Sequence, residues 1–252
     1  QTIRAFRDIL PEKISLWQKV EKEATHLFKS FGFKEIRIPI LEKTELFARS
    51  IGVVTDIVEK EMYTFEDRKG DKLTLRPEAT ASIVRSYIQH KMYAKDPIRK
   101  FYMIGPMFRR ERPQKGRYRQ FYQIDAEIFG VESAYVDSQL IFLLNQLFKR
   151  LGLTGLSAHI NSLGCPECRP SFQKVLLDFI ESKKDMLCEN CLRRMDKNPL
   201  RILDCKIENC RNAIAHAPAT LDHLCNECSD HFNTVKKALE TQGVDFIVDK
   251  SL

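Results

Sequence analysis

Between Arg109 and Arg119 the chain sets six basic side chains (Arg109, Arg110, Arg112, Lys115, Arg117 and Arg119) against one acid, Glu111. Guanidinium groups gathered over a small area favour a bound polyphosphate, because each offers a planar fork to two phosphate oxygens. Just downstream, Phe121, Gln123, Asp125, Glu127 and Phe129 alternate with Tyr122, Ile124, Ala126 and Ile128. In an extended chain alternate residues share a face, so the first set lines up an aromatic ring, an amide and two carboxylates. The ring can stack a nucleobase, and the acids can hold an ammonium or an imidazole. The second set reads as the core side. A solvated strand also carries polar residues on one face, but the adjoining basic loop favours a pocket.

A second chemistry is written in the cysteines, all eight of which fall between Cys165 and Cys228. Three pairs are Cys-x-x-Cys (Cys165/Cys168, Cys188/Cys191, Cys225/Cys228), and the fourth, Cys205/Cys210, is wider. Two thiolates at the shorter spacing reach one tetrahedral Zn²⁺ from a tight turn, and two pairs complete a closed, structural site. Eight thiolates suffice for two sites. One zinc with spare thiols, or free buried cysteines, are the alternatives. Thioredoxin-like redox chemistry fits less well, because it calls for a single pair beside a βαβ pattern. Disulfides are the poorer explanation where no export signal is evident. His216, His223 and His231 lie nearby and could replace a thiolate, but read better as neutral surface histidines.

Several elements must position these groups. Pro11 opens a helical pattern (Ile14, Trp17, Val20, Ala24, Leu27, Phe28, Phe31) that Gly32 ends. Ile36, Ile38 and Ile40 alternate as a strand, with Pro39 suggesting an edge or a bend. Glu61–Glu66 and Lys72–Leu75 form a hairpin across Asp67–Asp71, and Glu78 opens a helix that reaches about His90. The run Phe101–Ile104 reads as the strand before the basic loop, Val136–Leu151 as an apolar helix and Leu156–Leu163 as a strand. Helices are expected near Ser171–Lys184, Leu200–Ala217 and Asp230–Gln242, in a module with few large apolar residues of its own. Hairpin-joined strands with helices between them predict an α+β fold around an antiparallel sheet.

The chain of 252 residues, 43% hydrophobic and 30% charged, describes a globular protein large enough for a sizeable core. No apolar run approaches the about 20 residues that span a bilayer, and Gln1–Arg4 shows no apolar signal region; a cytoplasmic location without membrane contact is expected. The net charge of +7 suits a polyanionic partner such as RNA without requiring one.

Three segments carry a family resemblance. Phe108-Arg109-x-Glu111, the basic loop and Arg119-x-Phe121 resemble motif 2 of class II aminoacyl-tRNA synthetases. Gly105–Arg109 with Arg117–Phe121, Asp56–Phe65 and Leu73–Glu78 are together similar to the histidyl-tRNA synthetase family. The similarity runs from Ile3 to the C-terminus and is weakest in the cysteine-rich segment. The helix and Pro-bearing strand at the start resemble motif 1, which forms a homodimer interface, although an ordinary amphipathic helix on a sheet would read the same.

The resemblance implies a class II catalytic core over residues 1–164, a cysteine-rich helical insertion domain over 165–242 and a return strand over 243–252. It implies ATP, as its Mg²⁺ complex, histidine and tRNA(His) as substrates, and histidyl-adenylate as the intermediate. Arg109 would bind the α-phosphate and stabilise the charge that develops during attack, Glu111 would meet the adenine amino group, Phe121 would stack on adenine, and Arg117 would lie near the terminal phosphates. Glu78, Thr80 and Gln123 would hold the α-amino group and Glu127 an imidazole nitrogen. Zinc is not a family requirement, since many members lack these cysteines; it is their spacing that would place one or two structural Zn²⁺ on Cys165, Cys168, Cys188, Cys191, Cys205, Cys210, Cys225 and Cys228. In the family the insertion clamps the tRNA acceptor stem. Arg193, Arg194, Lys197, Arg201 and Arg211 can meet RNA phosphates, and solvated helix faces explain them nearly as well.

Ala5 and Ala79 stand where glycine is usual in the family, which would strain the backbone if either position needs a positive φ. Leu252 falls just before the family's Arg-Gly-Leu-Asp-Tyr-Tyr histidine-binding segment, motif 3 and the anticodon-binding domain. A front portion with little or no turnover of its own is therefore expected. Two other readings remain. One is a non-catalytic, histidine-sensing paralogue that regulates a histidine-biosynthesis phosphoribosyltransferase. The other is a zinc-stabilised RNA-binding or dimerisation unit.

Overall fold

The computed structural model describes residues 1–51, 58, 61–111, 114–195 and 198–250. Of the sequence features above, Asp56, Ile57, Glu59, Lys60, Arg112, Pro113, Lys197, Ser251 and Leu252 lie outside the described residues. The chain divides into two compact units, Gln1–Glu132 with Gln146–Leu153, and Ser133–Asn145 with Thr154–Leu252.

The first unit contains α1 (Pro11–Ser30), β1 (Lys34–Glu35), β2 (Leu41–Lys43), α2 (Thr44–Ile51), β3 (Tyr63–Glu66), β4 (Lys72–Leu75), α3 (Thr80–Gln89), β5 (Arg99–Phe108) and β6 (Gln120–Phe129). Pro11 suits the first turn of α1, where its missing N–H costs nothing. At the other end Gly32 takes φ +79°. There the Gly32 and Phe33 amides donate to Lys29 O and Phe28 O, and the Phe28 and Phe33 rings meet at 5.4 Å. This is a Schellman stop with its hydrophobic contact.

The long β5–β6 hairpin positions the site. It is antiparallel from Arg99 opposite Phe129 to Phe108 opposite Gln120, and β1 adds to β5 in parallel. One face is covered by α1, through Phe28 stacked on Tyr102 at 5.2 Å and Trp17 against Tyr122 at 4.7 Å. The other face packs Phe101, Met103 and Met107 with Ile38, Ala79 and Ile83, and Phe121 and Phe129 lean on that cluster. The core-side assignment within β6 therefore needs correction. Tyr122 is 38% exposed, while the face with the polar groups also supplies core contacts. With helices on both faces, each face of β6 is half-buried, and simple alternation does not separate core from site.

The strand expected at Ile36–Ile40 is not formed; strand pairing stops at Glu35 and resumes at Leu41. Pro39 has no N–H for a ladder. The freed carbonyls are instead bonded by the buried Arg76, whose NH1 reaches Ile38 O at 2.7 Å and Pro39 O at 3.3 Å and whose Nε reaches Pro106 O at 2.9 Å. The predicted hairpin is present as β3–β4, with β2 on the other side of β4. Asp67 Oδ1 accepts from the Lys69 and Asp71 amides in its turn.

The second unit contains α4 (Ala134–Arg150) up to Asn145, then β7 (Ala158–Ile160), α5 (Cys168–Glu181), α6 (Glu189–Met195), α7 (Glu208–Ile214), α8 (Asn226–Thr241) and β8 (Phe246–Val248). β8 pairs with β7 in parallel, and Ala134, Ile160, Phe232, Val235, Leu239 and Val244 pack together. The expected helix Leu200–Ala217 is broken into a 3-10 turn at Pro199–Ile202 and α7, with Cys205 between them. The expectation of few large apolar residues is also wrong. Phe172, Leu176, Ile180, Leu187, Met195 and Ile202 form a buried cluster of their own with Cys191 and Cys210. Among the described residues no helix is long and apolar enough to cross a membrane.

Candidate active site

Phe108, the last residue of β5, and Arg119 just before β6 bracket the basic loop, which is closed by a bridge from Gln114 to Arg117. Gly116 makes that turn with φ +84°. The Arg109 amide donates to Arg119 O at 3.0 Å and the Arg119 amide to Ala5 O at 2.9 Å, so the loop base is fixed to the hairpin and to the N-terminal segment. Ala5 takes φ +68°, the strain anticipated for an alanine in a glycine position. Ala79 is right-handed, at φ −101° and ψ −31°, and carries none.

Arg109 is held in place rather than free. Its Nε donates to Pro77 O at 2.8 Å, and its guanidinium carbon lies 5.2 Å from the centroid of Phe121. Glu111 stands between two arginines, 3.9 Å from Arg109 NH1 and 3.3 Å from Arg117 NH1. Arg117 is largely exposed, so this contact orients more than it stabilises. Arg7, which the sequence did not single out, stacks on Tyr118 at 4.3 Å. A lone arginine near a terminus gives no signal of that packing.

The carboxylates lie on the same face of the hairpin. Thr80 Oγ1 donates to Glu127 Oε1 at 2.7 Å, and Glu78 Oε1 accepts from the Ala81 amide at 3.0 Å in the first turn of α3. Burial raises the Glu127 carboxyl above its usual range, with a further push from Glu78 and a partial offset from Thr80. Asp125, between Gln123 and Glu127 on β6, is raised from 3.8 to about 6 by burial, then by Glu127 and Glu78, against the pull of Arg76 and Arg109. Gln123 Oε1 and Asp125 Oδ2 are buried without a hydrogen-bond partner. Two orphaned acceptors beside three carboxylates make a site that is short of hydrogen-bond donors and positive charge. Such a site suits a ligand that brings N–H groups and cationic charge.

The thiols gather into two all-cysteine groups, Cys165/Cys168/Cys225/Cys228 and Cys188/Cys191/Cys205/Cys210, with the sulfurs of each within 4.8 Å of one another. Cys165 Sγ lies 3.5 Å from Cys168 Sγ and 4.0 Å from Cys225 Sγ. Tetrathiolate zinc with bonds of about 2.3 Å needs sulfurs about 3.8 Å apart, so the spacing fits. The donors also fit: the Cys225 amide points to Cys168 Sγ at 3.1 Å and the Cys188 amide to Cys210 Sγ at 3.1 Å. The Cys225 and Cys165 amides bring the Cys168 thiol down to about 6. In the second group burial alone would raise Cys188, but the Cys191 amide and neighbouring thiols bring it to about 7, while burial pushes Cys191 up. Gly164 makes room for the first group: at φ +65°, an added Cβ would lie 2.8 Å from Cys168 Cβ. The groups are nested in sequence, the second lying wholly between the pairs of the first.

The histidyl-tRNA synthetase family profile matches residues 5–248. Over all 252 residues the chain is 71% identical to the histidine–tRNA ligase of Desulforapulum autotrophicum, of which it covers 59%. It is 60% identical to that of Desulfosudis oleivorans, of which it covers 60%. The apo crystal structure of S. aureus histidyl-tRNA synthetase matches with a TM-score of 0.78 at 34% identity, over 99% of this chain and 57% of that one. The chain thus spans about three fifths of the length of these curated relatives. On sequence and on fold alike, the chain belongs to the histidyl-tRNA synthetase family.

Proposed function

We propose that the protein is a histidine–tRNA ligase that activates histidine with ATP and transfers it to tRNA(His). The observation that carries this reading is the joining of two half-sites along one face of β6. Arg109 lies over Phe121 at one end of the strand, and the carboxylate row with Thr80 bonded to Glu127 lies at the other. A nucleotide and a cationic amino acid bound there would be neighbours. Glu78, Thr80 and Gln123 would hold the α-ammonium and Glu127 the ring N–H. Phe121 and Glu111 would take adenine, and Arg117 the terminal phosphates of Mg²⁺-bound ATP. The histidine carboxylate attacks the α-phosphorus and pyrophosphate leaves. No protein nucleophile is needed. Arg109, held in place by Pro77 O, is ready for the charge that develops on the phosphoryl oxygens, so it costs little reorganisation at the moment of reaction.

Each cysteine group would hold one structural Zn²⁺. Four thiolates saturate zinc and leave no open coordination position, so the metal would cross-link the segments and take no part in the reaction. The catalytic core would span residues 1–164, the insertion over 165–242 would meet tRNA, and residues 243–252 would be the return strand. The protein would be a cytoplasmic homodimer, for which Ile14 and Leu16, exposed on α1, supply apolar surface. Turnover would require the remainder of the relatives' length as well. Charging of tRNA(His) with each amino acid by the full-length protein tests the proposal. Attachment of histidine alone is expected, and failure to charge tRNA(His) would overturn it.

A further inference from the structure

Asp125 is one of the two acids on the pocket face of β6, yet it has been given no individual role above, and it occupies the middle of the site. It lies two residues from Gln123 and two from Glu127 on the same face of β6, opposite Met103. Its Oδ2 is buried and has no hydrogen-bond partner. The charged groups that act on it come from four segments: Glu127 on its own strand, Glu78 ahead of α3, Arg76 after β4 and Arg109 after β5.

A purely structural role can be weighed against this. Arg76 is 3% exposed, and its NH2 occupies the space that a side chain at Gly105 would fill, 2.8 Å from an ideal Cβ there. A buried guanidinium needs a counter-charge, and Asp125 is a candidate. Arg76, however, already spends its Nε and NH1 on the carbonyls of Pro106, Ile38 and Pro39. A carboxylate placed to serve Arg76 would have its oxygens bonded and its acidity increased. Asp125 has an orphaned oxygen and a raised pKa, so the protein leaves its charge under-compensated. Groups held at a cost to the free protein are characteristic of binding sites.

We propose that Asp125 is a further histidine-binding and specificity-determining residue, its carboxylate accepting an N–H of the bound amino acid between the positions served by Gln123 and Glu127. This rests on the histidine–tRNA ligase reading and extends it. A third carboxylate in the row makes the pocket selective for an amino acid that presents N–H donors at both ends. Neutral side chains of similar size would leave the half-buried Asp125 carboxylate covered and unbonded, which is a strong basis for rejection.

The test uses the full-length protein and its Asp125→Asn and Asp125→Glu variants. Histidine binding is followed by calorimetry, KM and kcat by pyrophosphate exchange, and stability by thermal unfolding at pH 7.5. The proposal expects Asp125→Asn to raise the histidine Kd and KM at least tenfold. The ATP KM should change less than threefold and the melting temperature should be maintained or higher. Asp125→Glu keeps the negative charge near Arg76 but moves the oxygen, so it should weaken histidine binding in a fully folded protein even if the asparagine variant fails to fold. Unchanged histidine binding with a lowered melting temperature would make Asp125 the counter-ion of Arg76 alone and overturn the proposal. A wild-type protein that binds no histidine overturns the ligase reading itself, a failure distinct from unchanged binding in the variants.

Discussion

Thr80 Oγ1 donates to Glu127 Oε1 across 2.7 Å, tying the first residue of α3 to the far half of β6. The bond keeps one carboxylate oxygen aimed and leaves the other for a ligand. It also lowers the Glu127 carboxyl, which burial would otherwise raise further. Thr80→Val keeps the shape and removes the donor. Histidine KM is expected to rise about 10- to 100-fold, in line with the loss of one hydrogen bond to a charged group, with ATP KM nearly unchanged. Steady-state exchange kinetics over both substrates check this.

The nested cysteine groups predict two zinc ions per chain. Cys225→Ser is expected to leave one, since the inner group shares no ligand with the outer. Elemental analysis of both purified proteins measures the ratio. Removing zinc with a strong chelator should reduce helical circular dichroism, because metal binding is coupled to folding in such modules. The second unit's own apolar cluster implies a partial loss. Complete unfolding of that unit would contradict the packing described above.

Two backbone positions carry opposite expectations. A Cβ at Gly130 would lie 1.7 Å from Pro97 O, at φ +80°. Gly130→Ala should therefore destabilise by roughly 3 kcal/mol or more, the range of large strain effects. Ala5 already sits at φ +68°, so Ala5→Gly should stabilise by up to about 1 kcal/mol. Urea unfolding of the two variants reads both signs.

Ala5 shows what could be read in the sequence and what could not. Its strain could be anticipated because an L-residue at a glycine position has a definite steric consequence. The β5–β6 hairpin, α1 with its Gly32 stop and the β3–β4 turn were equally legible, because each follows from short-range periodicity and turn chemistry. The irregular Ile36–Ile40 run was not, since its carbonyls depend on Arg76, distant in the chain. The alternation places Asp125 among the pocket-facing acids but gives it no individual role, for a related reason. Its peculiarity is the combined effect of Glu78, Glu127, Arg76 and Arg109, which only the fold brings together. The pairing of cysteine groups was likewise open until α5 and α8 were seen to share one group.

Asp125 also fixes a pH dependence. Its pKa rises from 3.8 to about 6 on folding, so between about pH 4 and 6 this carboxyl is protonated more in the folded protein than in the unfolded chain. The contribution of this group to stability therefore falls as pH rises through that window. Asp125→Asn removes that contribution: the variant should be the more stable protein at pH 7, with the advantage shrinking toward pH 4. Denaturant unfolding at pH 4.5 and 7 tests the sign, and a variant less stable at pH 7 would contradict it.

The most direct test of the account is amino-acid-dependent exchange of pyrophosphate into ATP by the full-length protein, with Arg109→Ala alongside. Exchange is expected with histidine and not with other amino acids. In the variant exchange should fall by about 10²- to 10³-fold, the usual effect of removing one preorganised donor to a developing charge. A folded, zinc-loaded wild-type protein that binds histidine yet exchanges nothing would contradict the account.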